Sequence, residues 1–124
     1  MIDYGCNTLK INGKKLELME LPAYIYKILL PTDDTIVVFY CVADVKGEFE
    51  AVYRNVFAVN MQGEVLWQIE PSSFKYKRRD GTIQRFAFHN LWLTDSGRLM
   101  TDDGHLEYEV NLKTGKLGKG ELTK

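Results

Sequence analysis

Apolar and polar side chains alternate along this chain over short stretches, and turn residues break those stretches at regular intervals. LKINGKKLELM (Leu9–Met19), FAVNMQGEVLWQI (Phe57–Ile69) and YEVNLKTGKLGKG (Tyr108–Gly120) all read this way. A period of two is the mark of a strand, because successive side chains leave opposite faces of the backbone. Strands are therefore predicted at 7–12, 14–20, 24–30, 35–43, 52–60, 64–70, 73–79, 82–94, 98–101, 105–111 and 116–122. Only Leu16 to Leu30 has apolar spacing that suits a helix, and Pro22, Tyr24, Ile25 and Tyr26 favour an extended chain there. Asn12-Gly13, Thr32-Asp33-Asp34, Lys46-Gly47, Gln62-Gly63, Asp80-Gly81, Ser96-Gly97, Asp103-Gly104 and Thr114-Gly115 mark the turns. Asn-Gly and Asp-Gly pairs supply the positive φ that tight hairpins demand. The predicted class is all-β, in one domain over 1–124.

The three quoted segments lie over one another. Each has alternating apolar residues, an Asn (Asn12, Asn60, Asn111), a Gly-containing turn and a second strand. The Asn suits that place because its side chain can accept from backbone N–H groups just ahead and so begin the turn. Further strands precede the second and third hairpins in the same order. The predicted units are thus 7–20, 24–70 and 87–122, two of them four-stranded antiparallel units and the first a partial one.

Ala58, Asn60, Gly63 and Trp67 in the second hairpin, with Asn111, Thr114, Gly115 and Lys116 in the third, resemble the tryptophan-docking repeat of quinoprotein-like (PQQ-repeat) β-propellers. The match covers two hairpins; the third lacks the Trp, with Gly118 and Lys119 at that place, and the first keeps only the Asn12-Gly13 turn. The resemblance implies blade-like sheets, about two and a half of them. A propeller ring takes about four to eight blades, so an open, sandwich-like stack or self-association is expected instead. It implies no quinone or calcium, since the family holds these on the axis of a complete ring, and Cys6 and Cys41 are not adjacent. No cofactor and no metal site is expected.

Composition changes this picture little. With 124 residues, 45% hydrophobic and 27% charged, and a net charge of −1, the chain reads as an ordinary globular domain with no overall pull toward nucleic acid or anionic lipid. Charge is uneven, however: residues 1–70 hold six basic and ten acidic side chains, and 71–124 ten and seven. Such a skew favours head-to-tail docking of two copies. The start, MIDYGCNTLK, has neither a basic n-region nor an apolar stretch, and TIVVFYCVA (Thr35–Ala43) is half the roughly 18 apolar residues of a membrane helix. A cytoplasmic, bacterial-type protein is expected, with no membrane contact. Cys41 reads as a small hydrophobe filling a core slot.

Candidate chemistry is sparse. His105 stands near Asp102, Asp103, Glu107 and Glu109, but the offsets do not meet a calcium loop, and Asp102-Asp103-Gly104 reads as a turn. Ser72, Ser73 and Ser96 lie in turn contexts, and with His89 and His105 the only histidines no nucleophilic triad is expected. FKYKRRDGTIQRF (Phe74–Phe86) carries Lys75, Lys77, Arg78, Arg79 and Arg85 among Phe74, Tyr76 and Phe86. Alternation would set Lys75, Lys77 and Arg79 in one basic row. That row suits an acidic protein partner, or simply a solvated hairpin protected from edge pairing; nucleic acid is the less favoured occupant. Trp92 lies at opposite parity from Leu91 and Leu93, which reads as a central strand between two layers or as a binding surface.

The expected function is a non-enzymatic protein-interaction module, such as a small inhibitor or immunity-type protein that masks a partner. Lys75, Tyr76, Lys77, Arg79 and Trp92 are its expected contact residues. The alternative is a small-ligand or sugar-binding module with a pocket near Trp67, Trp92 and Tyr108.

Overall fold

The computed structural model describes residues 1–42, 53–74 and 76–122. These form antiparallel strands with no helix of four or more residues, so the protein is all-β. An N-terminal sheet holds β1 (Ile2–Gly5), β2 (Thr8–Ile11) and β3 (Lys14–Glu17). A middle sheet holds β4 (Tyr24–Thr32), β5 (Thr35–Cys41), β6 (Val56–Asn60) and β7 (Val65–Gln68). A short ribbon, β8 (Tyr76–Lys77) with β9 (Ile83–Gln84), leads to a C-terminal sheet of β10 (Asn90–Leu93), β11 (Leu99–Asp102), β12 (Leu106–Val110) and β13 (Glu121–Leu122). Each sheet is a meander in chain order, and none closes on itself.

The middle sheet is buried on both faces, which explains why β5 is a continuous apolar run. Ile36, Val38 and Tyr40 join Phe57 and Val59 against Leu9 and Ile11 of the N-terminal sheet. On the other face Val37, Phe39, Val56 and Ala58 pack with Leu91, Leu99, Tyr108 and Val110 of the C-terminal sheet. Each Val, Leu, Ile or Phe among these contributes about 1.5–3 kcal/mol by leaving water. Polar bolts cross the same seams. The Tyr40 hydroxyl donates to the Asn7 carbonyl at 3.0 Å and accepts from the Leu18 amide at 3.2 Å. The fully buried Asn55 donates to the carbonyls of Tyr40 and Phe88 and accepts from the Phe88 amide, at 2.8, 3.0 and 2.9 Å.

The turn chemistry follows the expected pattern. Asn12 and Gly13 both have positive φ, 50° and 87°, as a two-residue hairpin requires. Asn60 Oδ1 accepts from the amides of Gln62 and Glu64, and Asn111 Oδ1 from those of Lys113 and Thr114. Asn12 departs from that role: it occupies the left-handed position itself, and its Oδ1 meets the N-terminal amine.

Three expectations need correction. Ile2–Gly5 is a strand that the pattern does not announce, since Asp3, Tyr4 and Gly5 are exposed and only pairing with β2 extends them. The strand expected over 82–94 is broken between Gln84 and Asn90, where the chain crosses from the ribbon to the C-terminal sheet. Trp92 lies on an edge strand: β10 is the first strand of its sheet, and the sheet covered on both sides is the middle one. The Lys46-Gly47 turn lies outside the described residues.

Candidate functional site

The 74–86 hairpin stands apart from both cores. Among the described residues, none between Lys77 and Ile83 joins either cluster, and Lys77, Arg78 and Arg79 are exposed. Ile83 is 57% exposed as well, so the ribbon presents an apolar side chain beside its cations. Its turn is tight: the Gly81 amide donates to the Arg78 carbonyl at 3.0 Å and the Arg78 amide to the Thr82 carbonyl at 2.8 Å. Asp80 accepts from the Thr82 amide and hydroxyl at 2.9 and 2.6 Å, bonds that hold its carboxyl below the usual carboxylate range. This geometry shortens the expected basic row. Strand pairing ends at Lys77, so Arg79 belongs to the turn rather than to an alternating strand. Lys75 and the side chain of Tyr76 lie outside the described residues.

Phe74 and Phe86 are not free platforms; they form the root of the hairpin. Phe74 on one leg stacks on the His105 ring at 4.1 Å with 7° between planes. Phe86 on the other leg meets the same ring at 4.7 Å and Phe74 at 5.5 Å. Below them Ser72, Asp103 and Tyr108 meet in the interior. Asp103 Oδ2 receives the hydroxyls of Ser72 and Tyr108, while Oδ1 accepts from the His105 and Leu106 amides at 2.8 and 2.7 Å. Burial opposes the charge on Asp103 most strongly, but these donors together outweigh it and lower the carboxyl's pKa. Ser72 thus faces a carboxylate that already serves a turn, and the cluster fastens the incoming chain to the C-terminal sheet.

Where the returning leg leaves the ribbon, residues 85–89 cross the open end of the middle sheet. Tyr24 and Tyr26, at alternate positions of β4, share the face of Phe39, and Tyr26 meets Phe39 edge-on at 5.9 Å. The C-terminal sheet covers this face beside Leu29 and Val37 but leaves the Tyr24 end to the crossing segment. The result is a cavity of about 410 Å³ walled by these rings with Tyr53, Phe86 and Phe88, and rimmed by Cys41, Arg85 and His89. Cys41 is half-buried at this rim rather than in a core slot.

The other expected contacts fall elsewhere. Trp67 and Tyr108 are buried in the core between the middle and C-terminal sheets and do not line the cavity, although Tyr108 meets its wall residue Phe88 edge-on at 6.4 Å. Trp92 pairs across β11 with Met100, which pairs with Glu109, on the face of the C-terminal sheet turned away from that core. Among the described residues no cluster of His, Cys, Asp and Glu could hold a metal ion. The cavity was missed because only the break in the 82–94 strand creates it; the available signal was AYIYK, whose alternation puts both tyrosines on one face.

A family model matches residues 1–122. The chain belongs to the family described as Domain of unknown function (DUF7957). No curated protein and no solved structure matches it.

Proposed function

We propose that this DUF7957 protein is a non-enzymatic protein-interaction module of the small inhibitor or immunity kind, acting in the cytoplasm by masking an acidic surface on a partner. The observation that carries the reading is the hairpin that holds Lys77, Arg78, Arg79 and Ile83 in solvent while its root is clamped by Phe74, His105 and Phe86. A rigidly rooted, protruding basic ribbon loses little conformational freedom on binding, and its charge steers encounter with carboxylates. Blade-like stacking of the repeated hairpins belongs to the same proposal. It is supported by the Trp67 indole resting on Gly115 of the next hairpin, and by Lys14 lying along Gly63 one junction earlier. Stacked sheets with outward faces at both ends also favour self-association.

The test is native mass spectrometry of the tagged chain purified from its host, beside a variant carrying Lys77→Glu, Arg78→Glu and Arg79→Glu. All three side chains are exposed, so the variant should keep its stability within about 0.5 kcal/mol. A protein held at fixed stoichiometry by the wild type and lost by the variant is expected. A bare wild-type chain, or a partner retained equally by both, overturns the proposal.

A further inference from the structure

We infer that the aromatic cavity at the open end of the middle sheet is a binding site for a small planar ring that carries one anionic group, a carboxylate or a phosphate. Its volume of about 410 Å³ lies within the ~300–1,000 Å³ of small-molecule sites. Tyr26 and Phe39, set edge-on to each other, stand at one wall, and Phe86 and Phe88 stand on the crossing segment. Such walls favour a flat ligand through offset and edge-to-face contacts.

The polar rim gives the charge. Arg85 is half-buried, yet makes no hydrogen bond or ion pair with any described residue. Contrast Arg98, whose guanidinium meets Glu109 at 2.7 Å, and Arg54, which donates to the carbonyls of Ile69 and Gln68. His89 stands at the same rim, held by close packing on Gly104, where a Cβ would lie 2.8 Å from its Cε1 and Nδ1. No carboxylate is among the described residues that line the cavity. A guanidinium offers a planar fork of donors that suits a carboxylate or phosphate, and no described residue supplies either to Arg85. This site is separate from the ribbon's exposed cations, so it stands or falls independently of the masking role.

Isothermal titration of the full chain with two probe sets tests this: nucleoside monophosphates of the four common bases, and the aromatic carboxylates 4-hydroxybenzoate and indole-3-acetate. At least one probe should bind, with the matching nucleoside or neutral ring, and inorganic phosphate or acetate, each much weaker. The set that binds tells a phosphate ligand from a carboxylate one. Arg85→Gln should weaken the bound probe roughly tenfold or more, because a charge-assisted hydrogen bond is lost, and should leave the neutral ring unchanged. Tyr26→Ala should weaken both. Arg85 and Tyr26 lie outside the packed cores, so unchanged melting temperatures will show that both variants are folded. Binding by neither set, or affinity indifferent to both substitutions in folded protein, overturns the inference.

Discussion

The indole of Trp67 rests on Gly115. A Cβ built on that glycine would stand 2.6 Å from Cε3 of the ring, and Nε1 donates to the Leu112 carbonyl at 2.8 Å in the same hairpin. Two further bonds tighten the seam: the Glu70 amide donates to the Gly115 carbonyl at 3.1 Å, and Glu70 Oε1 accepts from the Leu117 amide at 3.1 Å. The end of β7 is thereby seated in the third hairpin, joining the middle sheet to the C-terminal one.

Gly115 also has a φ of +74°, so Gly115→Ala meets both backbone strain and the Trp67 ring. We expect a loss of roughly 2–4 kcal/mol, about 1 from the left-handed backbone and the rest from overpacking. Gly13→Ala is the control: its φ is +87° but nothing lies within 4 Å of the added carbon, so only the strain of about 1 kcal/mol applies. Urea denaturation of both variants measures the difference. Equal losses would mean that the Trp67 contact contributes nothing.

Asn55 couples the middle sheet to the segment that enters β10, since its amide serves Tyr40 and both backbone groups of Phe88. Asn55→Ala leaves buried backbone groups unsatisfied and should cost about 2–4 kcal/mol. Asn55→Asp should cost more at neutral pH, because a carboxylate cannot donate to the two carbonyls and would be buried facing them. Chemical denaturation at neutral pH ranks the two; an Asp variant as stable as wild type would contradict the assigned amide orientation.

Asp103 sets an acid limit. Its folded-state pKa is lowered from the ordinary 3.8, so the unfolded chain takes up its proton at a higher pH than the folded one. The carboxylate's stabilising contribution is therefore complete above the ordinary carboxylate pKa and is lost as pH falls through the lower folded value. Stability measured from neutral pH down to the acid range should decline in that window. Asp103→Asn should be less stable at pH 7 by about 1–3 kcal/mol, through the disturbed bonds to Ser72, Tyr108 and the turn amides. Its difference from wild type should shrink in acid. A constant difference across the range would show that this carboxylate does not titrate between the two states.

Much of the architecture was legible in local chemistry. The Asn-Gly and Xaa-Gly pairs announce hairpins because only glycine and a few polar residues accept positive φ cheaply. The apolar run of β5 was legible as a strand, but the cover on both its faces comes from the sheets packed on either side. Asp102-Asp103-Gly104 is a turn as read, but its second carboxylate is also the floor of a buried cluster. That role depends on Ser72, far away in the chain, and no local pattern encodes it.

Alternation and turn chemistry act between residues close in the chain, so the all-β class and the hairpins could be read from the residues alone. The sheet covered on both faces, expected at Trp92, lies at β4–β7 instead. Tertiary structure alone decided that β10 is an edge, that Phe74 and Phe86 close on His105 instead of facing solvent, and that residues 85–89 leave the sheet and roof an aromatic cavity. Each of these depends on which surface another sheet happens to cover, and covering is a contest between distant segments for the same apolar face.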